Sequence, residues 1–402
     1  MKWPTVKLKS VTSKVGSGAT PRGGEAVYKD AGVPLIRSMN VHFDGFRHDG
    51  LVYLDEEEAS LLNHVEIQSN DVLFNITGAS IGRVTTAPAN MAGARVNQHV
   101  CILRPTDKLM PQFLSYYMRS SDQQVLVGNS QIGGTRQAVT KGMLLNWEIH
   151  LPPRAEQERL VRLLDKTDEL RKLRTRANRR TVDLIPALFH EMFGDSDANQ
   201  QGWARCPVSS FVEELQGGRS VKPAGADEAA GRFRVLKISA VTWGIFNPEE
   251  SKPVPAIYEP PKSHFVREGD LLFSRANTSE LVAATSYVFD TPPNLLLPDK
   301  LWRFVWKQPQ VVDPLFVWWL FQSPSVRREL GQRATGTGGS MKNISKPKVM
   351  SLEVPLPPLP LQKEFSARAS EIRAMQAEQA VSRCRLDDLF QSMLHRSFNG
   401  EL

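Results

Sequence analysis

A chain of 402 residues, 41% hydrophobic and 23% charged, is too long for one ordinary core and fits two or three domains. The isolated cysteines Cys101, Cys206 and Cys384 exclude a disulfide scaffold and structural zinc spacing, and point to a reducing compartment. A net charge of +7 argues against an acidic nucleic-acid mimic, and the lack of an apolar leader or membrane-length apolar run makes a cytoplasmic protein the expectation.

In chain order, the first half opens at Trp3-Pro4, with apolar Leu8, Val11 and Val15 behind it. The glycine-rich, basic segment Gly16 to Arg22 reads as a turn and Pro34 to Val41 as a strand, with Asn70 to Ala79 following. Pro111 then starts an amphipathic helix running to about Ser121. The second half repeats this order: Trp203, with Val208, Phe211 and Leu215; Gln216 to Lys222; Arg234 to Val241; Gly269 to Thr278; and a helix from Pro314. The ends of the halves are the most alike. GGTRQAVTKGMLLNWEIHLPPRAEQ (133–157) and GGSMKNISKPKVMSLEVPLPPLPLQ (338–362) share 8 of 25 positions, where chance gives about one or two. A period near 200 means tandem modules rather than a solenoid.

This seam has a structural reading. Thr140 and Ser345 are suited to cap short helices, with Pro347 near the first helical position. NWEIHLP and SLEVPLP then alternate as a last strand, which the double proline stops. PLPPLP can also be read as a polyproline ligand. After each seam comes a long helical pattern, from about Arg154 to Phe193 and from about Gln362 to Arg396. Apolar residues recur by sevens, as at Leu160 and Leu188, Leu163 and Leu170, or Phe365 and Ile372, so the helices are expected to pair, with a kink near Pro186. The predicted fold is α+β. Two similar globular modules (1–151 and 200–356) are separated by long antiparallel, coiled-coil-like helices (152–194 and 357–402), with pseudo-twofold symmetry.

No catalytic constellation emerges. There is no Asn/Asp-Pro-Pro-aromatic loop, and GTGGSMK (Gly336 to Lys342) lacks the ending of a phosphate loop. EESK (Glu249 to Lys252) lacks the upstream proline–aspartate of a nuclease and reads as an exposed loop. The first-half histidines His42, His48, His64, His99 and His150 show no ligand spacing, so no metal is expected. The chain reads as a binder.

The two-module plan, the doubled Gly-Thr/Ser…Leu-Pro-Pro…Gln seam before a long helix, and the closing SFNGEL resemble the specificity subunit of type I restriction–modification enzymes. The resemblance covers essentially the whole chain. One departure is that Glu156-Gln157 of the first seam becomes Leu361-Gln362 in the second. The resemblance implies that each module is a target recognition domain reading one half of a split site in double-stranded DNA. It also implies that the helices set the spacing and help bind two methyltransferase subunits, which carry S-adenosylmethionine, and that a separate translocating restriction subunit cuts. This chain would then hold no cofactor and be no enzyme. The docking candidates are Leu160, Leu163, Leu170, Phe189, Ile372 and Leu389.

Reading a base edge needs polar side chains, Arg and Lys for guanine and Asn and Gln for adenine. The first-module candidates are Thr20, Arg22, Arg37, Asn40, Asn75, Thr77, Gln131, Arg136 and Gln137. Those of the second are Arg219, Lys222, Lys237, Arg275, Asn277, Thr278, Lys342 and Asn343. Each is also a residue type that stabilises turns. The halves disagree at Asn75/Ser274, Ile76/Arg275 and Arg136/Met341, which suggests different half-sites. RKLRTRANRR (Arg171 to Arg180) suits phosphate contact or partner docking, or a solvated face with pairs such as Asp168/Lys172. Trp318, Trp319 and Phe321 read as core. A stand-alone DNA-binding regulator and a non-specific assembly scaffold remain alternative readings.

Overall fold

The structure is a computed structural model describing residues 3–129, 138–195, 199, 201–221, 230–336 and 341–402. The chain forms two compact units: residues 1–179 together with 378–402, and residues 180–377.

In the first unit, strands Thr12–Ser17, Val100–Pro105, Val72–Asn75 and Val84–Thr86 form one antiparallel sheet in that spatial order. Alternation along a strand sends successive side chains to opposite faces. Val72 and Phe74, with Cys101 and Leu103, face a helical layer that includes Phe113, Leu114 and Tyr117. Leu73, Val100 and Ile102 face a second core with Leu35, Ile36 and Leu54. Both faces are covered, which is why VLFN reads as an unbroken apolar run. The second core carries a small sheet, with Val33–Ile36 between antiparallel Val52–Leu54 and parallel Arg95–Val96.

The second unit repeats this order. Its main sheet runs Val212–Gly217, Leu301–Trp306, Leu271–Ser274, Thr285–Tyr287, and its small sheet places Ala230–Leu236 between Ser251–Pro255 and Leu295–Leu296. Ser251 and Lys252 therefore belong to a strand, paired with Leu236 and Val235, and not to the exposed loop expected of EESK. Trp318 and Phe321 are buried as expected, with Trp319 packed against the same core.

The seam is a closing device in both units. Glu148–His150 pairs with Thr5–Lys7, and Glu353–Pro355 with Arg205–Pro207, so each module's end is zipped to its beginning. The Thr140 hydroxyl accepts a hydrogen bond from the Met143 amide at 3.2 Å and caps helix Lys141–Asn146. Ser345 has the extended backbone of a cap but makes no side-chain bond, because proline at 347 already removes one donor from the first turn. The repeated glutamine is a buried latch. Gln157 accepts from the Met110 amide at 2.8 Å and donates to the carbonyls of Lys108 and Pro152. Gln362 likewise accepts from the Asp313 amide at 2.9 Å and donates to Pro357. Each side chain satisfies backbone groups that burial would otherwise leave unpaired.

The first long helix covers Arg154–Val182, and a second helix, Leu184–Phe193, begins after Asp183. Pro186 lacks the N–H that would continue the ladder, and the helix is interrupted at Asp183, within a turn of the expected kink. The last helix, Leu359–Phe398, is continuous. In the first unit its C-terminal part lies antiparallel to the first helix. Arg171 meets Asp387 at 2.7 Å, Thr167 donates to the Met393 sulfur, and Arg159 donates to the Leu402 carbonyl. Phe390, Leu394 and Phe398 enter the core there, with the Phe398 ring 5.3 Å from Phe113 and 5.2 Å from Tyr117. In the second unit the same antiparallel run appears as Gln376 donating to Thr181 and Phe365 packing on Phe189 and Phe193.

Candidate nucleic-acid interface

In the second unit, the short strands Ala276–Asn277 and Lys342–Asn343 form a two-stranded ribbon, in register Ala276 to Asn343 and Asn277 to Lys342. It gathers four of the predicted readers, because Arg275 anchors its root. The Arg275 amide donates to the Lys300 carbonyl at 3.1 Å, its carbonyl accepts from Ile344, and its guanidinium lies 5.9 Å from the Trp302 ring centre. Thr278 is exposed just beyond. Beside the small sheet, a cleft of about 410 Å³ is lined by Ser220, Lys237, Ser239, Lys252, Asp299 and Lys300. Three lysines against one aspartate give it a positive balance. Lys237 also pairs with Glu250 at 3.3 Å, and the Ser239 hydroxyl and this ammonium hold the Glu250 carboxyl below its usual range. Arg219 is exposed, and burial together with its charge pushes the His264 imidazole toward the neutral form. Lys252 and Lys300 were missed in the sequence because neither sits in a glycine-containing segment.

The first unit is less basic at the matching places. Thr20 and Arg22 are exposed, and Arg37 donates to the Gly50 carbonyl at 2.7 Å with its guanidinium 5.5 Å from the Tyr28 ring. Thr77 bridges to Ala138, the counterpart of the second unit's ribbon, and its hydroxyl bonds His99. Two predicted readers are corrected. Asn40 is buried, with its amide donating to the carbonyls of Arg47 and Asp49, and Asn75 is buried, donating to Ser38 and Ser80. Both hold loops in shape from the inside and offer nothing to a ligand. Gln131, Arg136, Gln137 and Lys222 lie outside the described residues.

The docking candidates divide in the same way. Leu160 and Phe189 are buried within their own units, so neither is available to a partner. Leu163 is half-buried and Ile372 packs on the second unit's core, whereas Leu170, at 53%, and Leu389, at 48%, are exposed. Of the basic run, Lys172 and Arg171 both pair with Asp168 at 3.0 Å. Arg176, Arg179 and Arg180 are exposed and make no ion pair among the described residues. No helix is long and apolar enough to cross a membrane among the described residues.

Duplicated α+β units that each end in a helix and present divergent polar ribbons define a sequence-recognition protein. Residues 1–179 match the family described as the type I restriction modification DNA specificity domain. The chain is similar along its whole length to specificity subunits of type I restriction–modification systems. It is 25% identical to the EcoKI specificity subunit of Escherichia coli K12, an alignment covering 100% of this chain and 89% of that one. It is 23% identical to the MjaVIII specificity subunit of Methanocaldococcus jannaschii, over 76% of this chain and 73% of the relative. Its fold resembles a chain solved in work on assembly and conformational transition of the type I system (TM-score 0.63, 18% identity, 100% and 98% coverage). It also resembles the S subunit from M. genitalium (TM-score 0.55, 12% identity, 99% and 96% coverage).

Proposed function

We propose that each unit reads one short half of a split, asymmetric site in double-stranded DNA, and that the long helices set the unread interval. The chain does no chemistry itself. Methylating a base inside a duplex requires taking it out of the stack, a task for a catalytic partner. Two methyltransferase subunits holding S-adenosylmethionine would supply it, docked through exposed helix positions such as Leu170 and Leu389. A translocating restriction subunit would complete the assembly. Arg176, Arg179 and Arg180 suit phosphates, which fix position without reading sequence.

The observation that carries this reading is the contrast between shared scaffold and divergent ribbon. The main sheet, seam strand and glutamine latch recur in both units, while the ribbon pairs Ala276 with Asn343 in one and Thr77 with Ala138 in the other. The test is reconstitution. The purified chain is expected to show no methyl transfer alone and to confer sequence-specific methylation when mixed with its methyltransferase subunit. Methyl transfer by the chain alone, or methylation indifferent to sequence, refutes the proposal.

A further inference from the structure

We propose that the second unit contains a dedicated pocket for one DNA backbone phosphate, formed by Arg327, Gln322 and Thr285, with Trp243 at its mouth. The inference rests on the reading that the chain binds DNA, and adds a site that the predicted readers do not include.

The cavity, about 210 Å³, is lined by Thr242, Trp243, Gly244, Ala284, Thr285, Gln322 and Arg327. Three polar atoms in this lining are buried and have no hydrogen-bond partner among the described residues: Arg327 Nη1, Gln322 Nε2 and Thr285 Oγ1. All three can donate a proton, and Thr285 is only 1% exposed. The other terminal nitrogen of Arg327 donates to the Glu280 carbonyl at 2.9 Å, which fixes the fork and leaves Nη1 free. No carboxylate lines the cavity among the described residues. A half-buried guanidinium beside two unpaired donors, with no acid among the lining residues, suits an anion.

The corresponding cavity of the first unit shows what such a place requires. It lies against the same loop, strand and helix, with Phe43, Val84 and Arg119 among its lining residues. There the chain supplies its own anions. Asp168 accepts from Arg119 at 3.4 Å and Asp165 accepts from Tyr116 at 2.7 Å. Gln124, which matches Arg327 along the helices, donates to the carbonyls of Gly82 and Met118. The first cavity has carboxylates of its own in its lining, whereas the lining of the second has none.

Position favours DNA as the source. The loop bearing Trp243 is tied to the reader ribbon, since Asn277 donates to the Thr242 hydroxyl at 3.4 Å. Trp243 is 81% exposed and Ile245 72% exposed, an apolar edge suited to sugar and base beside a phosphate. Gly244 makes the closure possible. At φ +75° it turns the loop over Gln322, and a Cβ there would come within 2.5 Å of Oε1.

The experiment measures binding of the full chain to a pool of random-sequence duplexes across a KCl series. Arg327→Gln is expected to weaken binding equally for all sequences and to reduce the slope of log K against log salt by about 1. Arg327→Lys should keep that slope, and Trp243→Ala should weaken binding with the slope unchanged. Unchanged binding by Arg327→Gln overturns the site. So does a changed sequence preference, which would make it a base contact. Normal DNA binding with lost methyltransferase co-purification overturns it too, in favour of a partner carboxylate. If Arg327→Gln melts abnormally, Thr285→Val provides the test: uniform weakening supports the site, and no change refutes it. A wild-type chain that fails to bind the pool refutes the DNA-binding reading itself, an outcome distinct from all of these.

Discussion

Replacing Phe390 and Phe398 together with alanine should unfold the first unit and leave the second intact. Both rings are buried, Phe398 against Phe113 and Tyr117, and Phe390 against Tyr116 at 6.2 Å between ring centres. A buried Phe→Ala change costs about 3–5 kcal/mol. The two sites have different ring partners, so their effects should largely add, to about 6–10 kcal/mol. That rivals the whole stability of a domain, about 5–15 kcal/mol. Hydrogen exchange provides the readout. Protection should be lost in Val72–Asn75 and Val100–Pro105 and kept in Leu271–Ser274 and Leu301–Trp306. Retained protection in the first pair would mean that the last helix is not part of the first core. Equal loss in all four would mean that the units do not unfold separately.

The remaining expectations follow from single features. Gln157→Leu leaves one amide and two carbonyls without their partner, and should cost about 2–4 kcal/mol by urea titration, with most of the effect in the first unit. A cost below 0.5 kcal/mol, on the order of a surface change, would refute the latch. Burial pushes the Cys101 thiol up to about 12, so it stays protonated and should resist alkylation at pH 8 until the protein unfolds, while exposed Cys384 reacts at once. Rapid native labelling of Cys101, read by mass spectrometry, would contradict this. Exchanging residues 1–151 for another family member's module should change one half-site only, a result that methylome sequencing reads directly. A seven-residue insertion in Arg154–Val182 adds about 10 Å of helix and should lengthen the unread interval by about three base pairs.

The fold was legible in the sequence where the two halves agree. Proline-initiated helices and the seam recur as elements, and the apolar runs in VLFN and LLFS mark the central strands. The doubled glutamine was legible as a signal but not as a latch, since only the structure shows the amide of Met110 or Asp313 opposite it. Asn40 and Asn75 were misread because a polar residue among glycines looks the same whether it faces out or ties a loop from within. Leu160 and Phe189 were misread for a related reason. Heptad spacing finds an apolar stripe but not the surface that covers it, which here is the core of the chain's own units. The pocket proposed for a phosphate left no motif, since Trp243, Thr285, Gln322 and Arg327 converge from four separate elements.

The division of the chain into 1–179 with 378–402, and 180–377, also dictates an order of events during synthesis. The second unit is contiguous and can finish soon after residue 377 leaves the ribosome. The first emerges early yet lacks Phe390, Leu394 and Phe398 until residues 390–398 are made. At about 5–20 residues per second, some 200 further residues hold it incomplete for roughly 10–40 s. During that time the faces of Phe113 and Tyr117 wait uncovered for their rings, so the unit encoded first is the one that folds last.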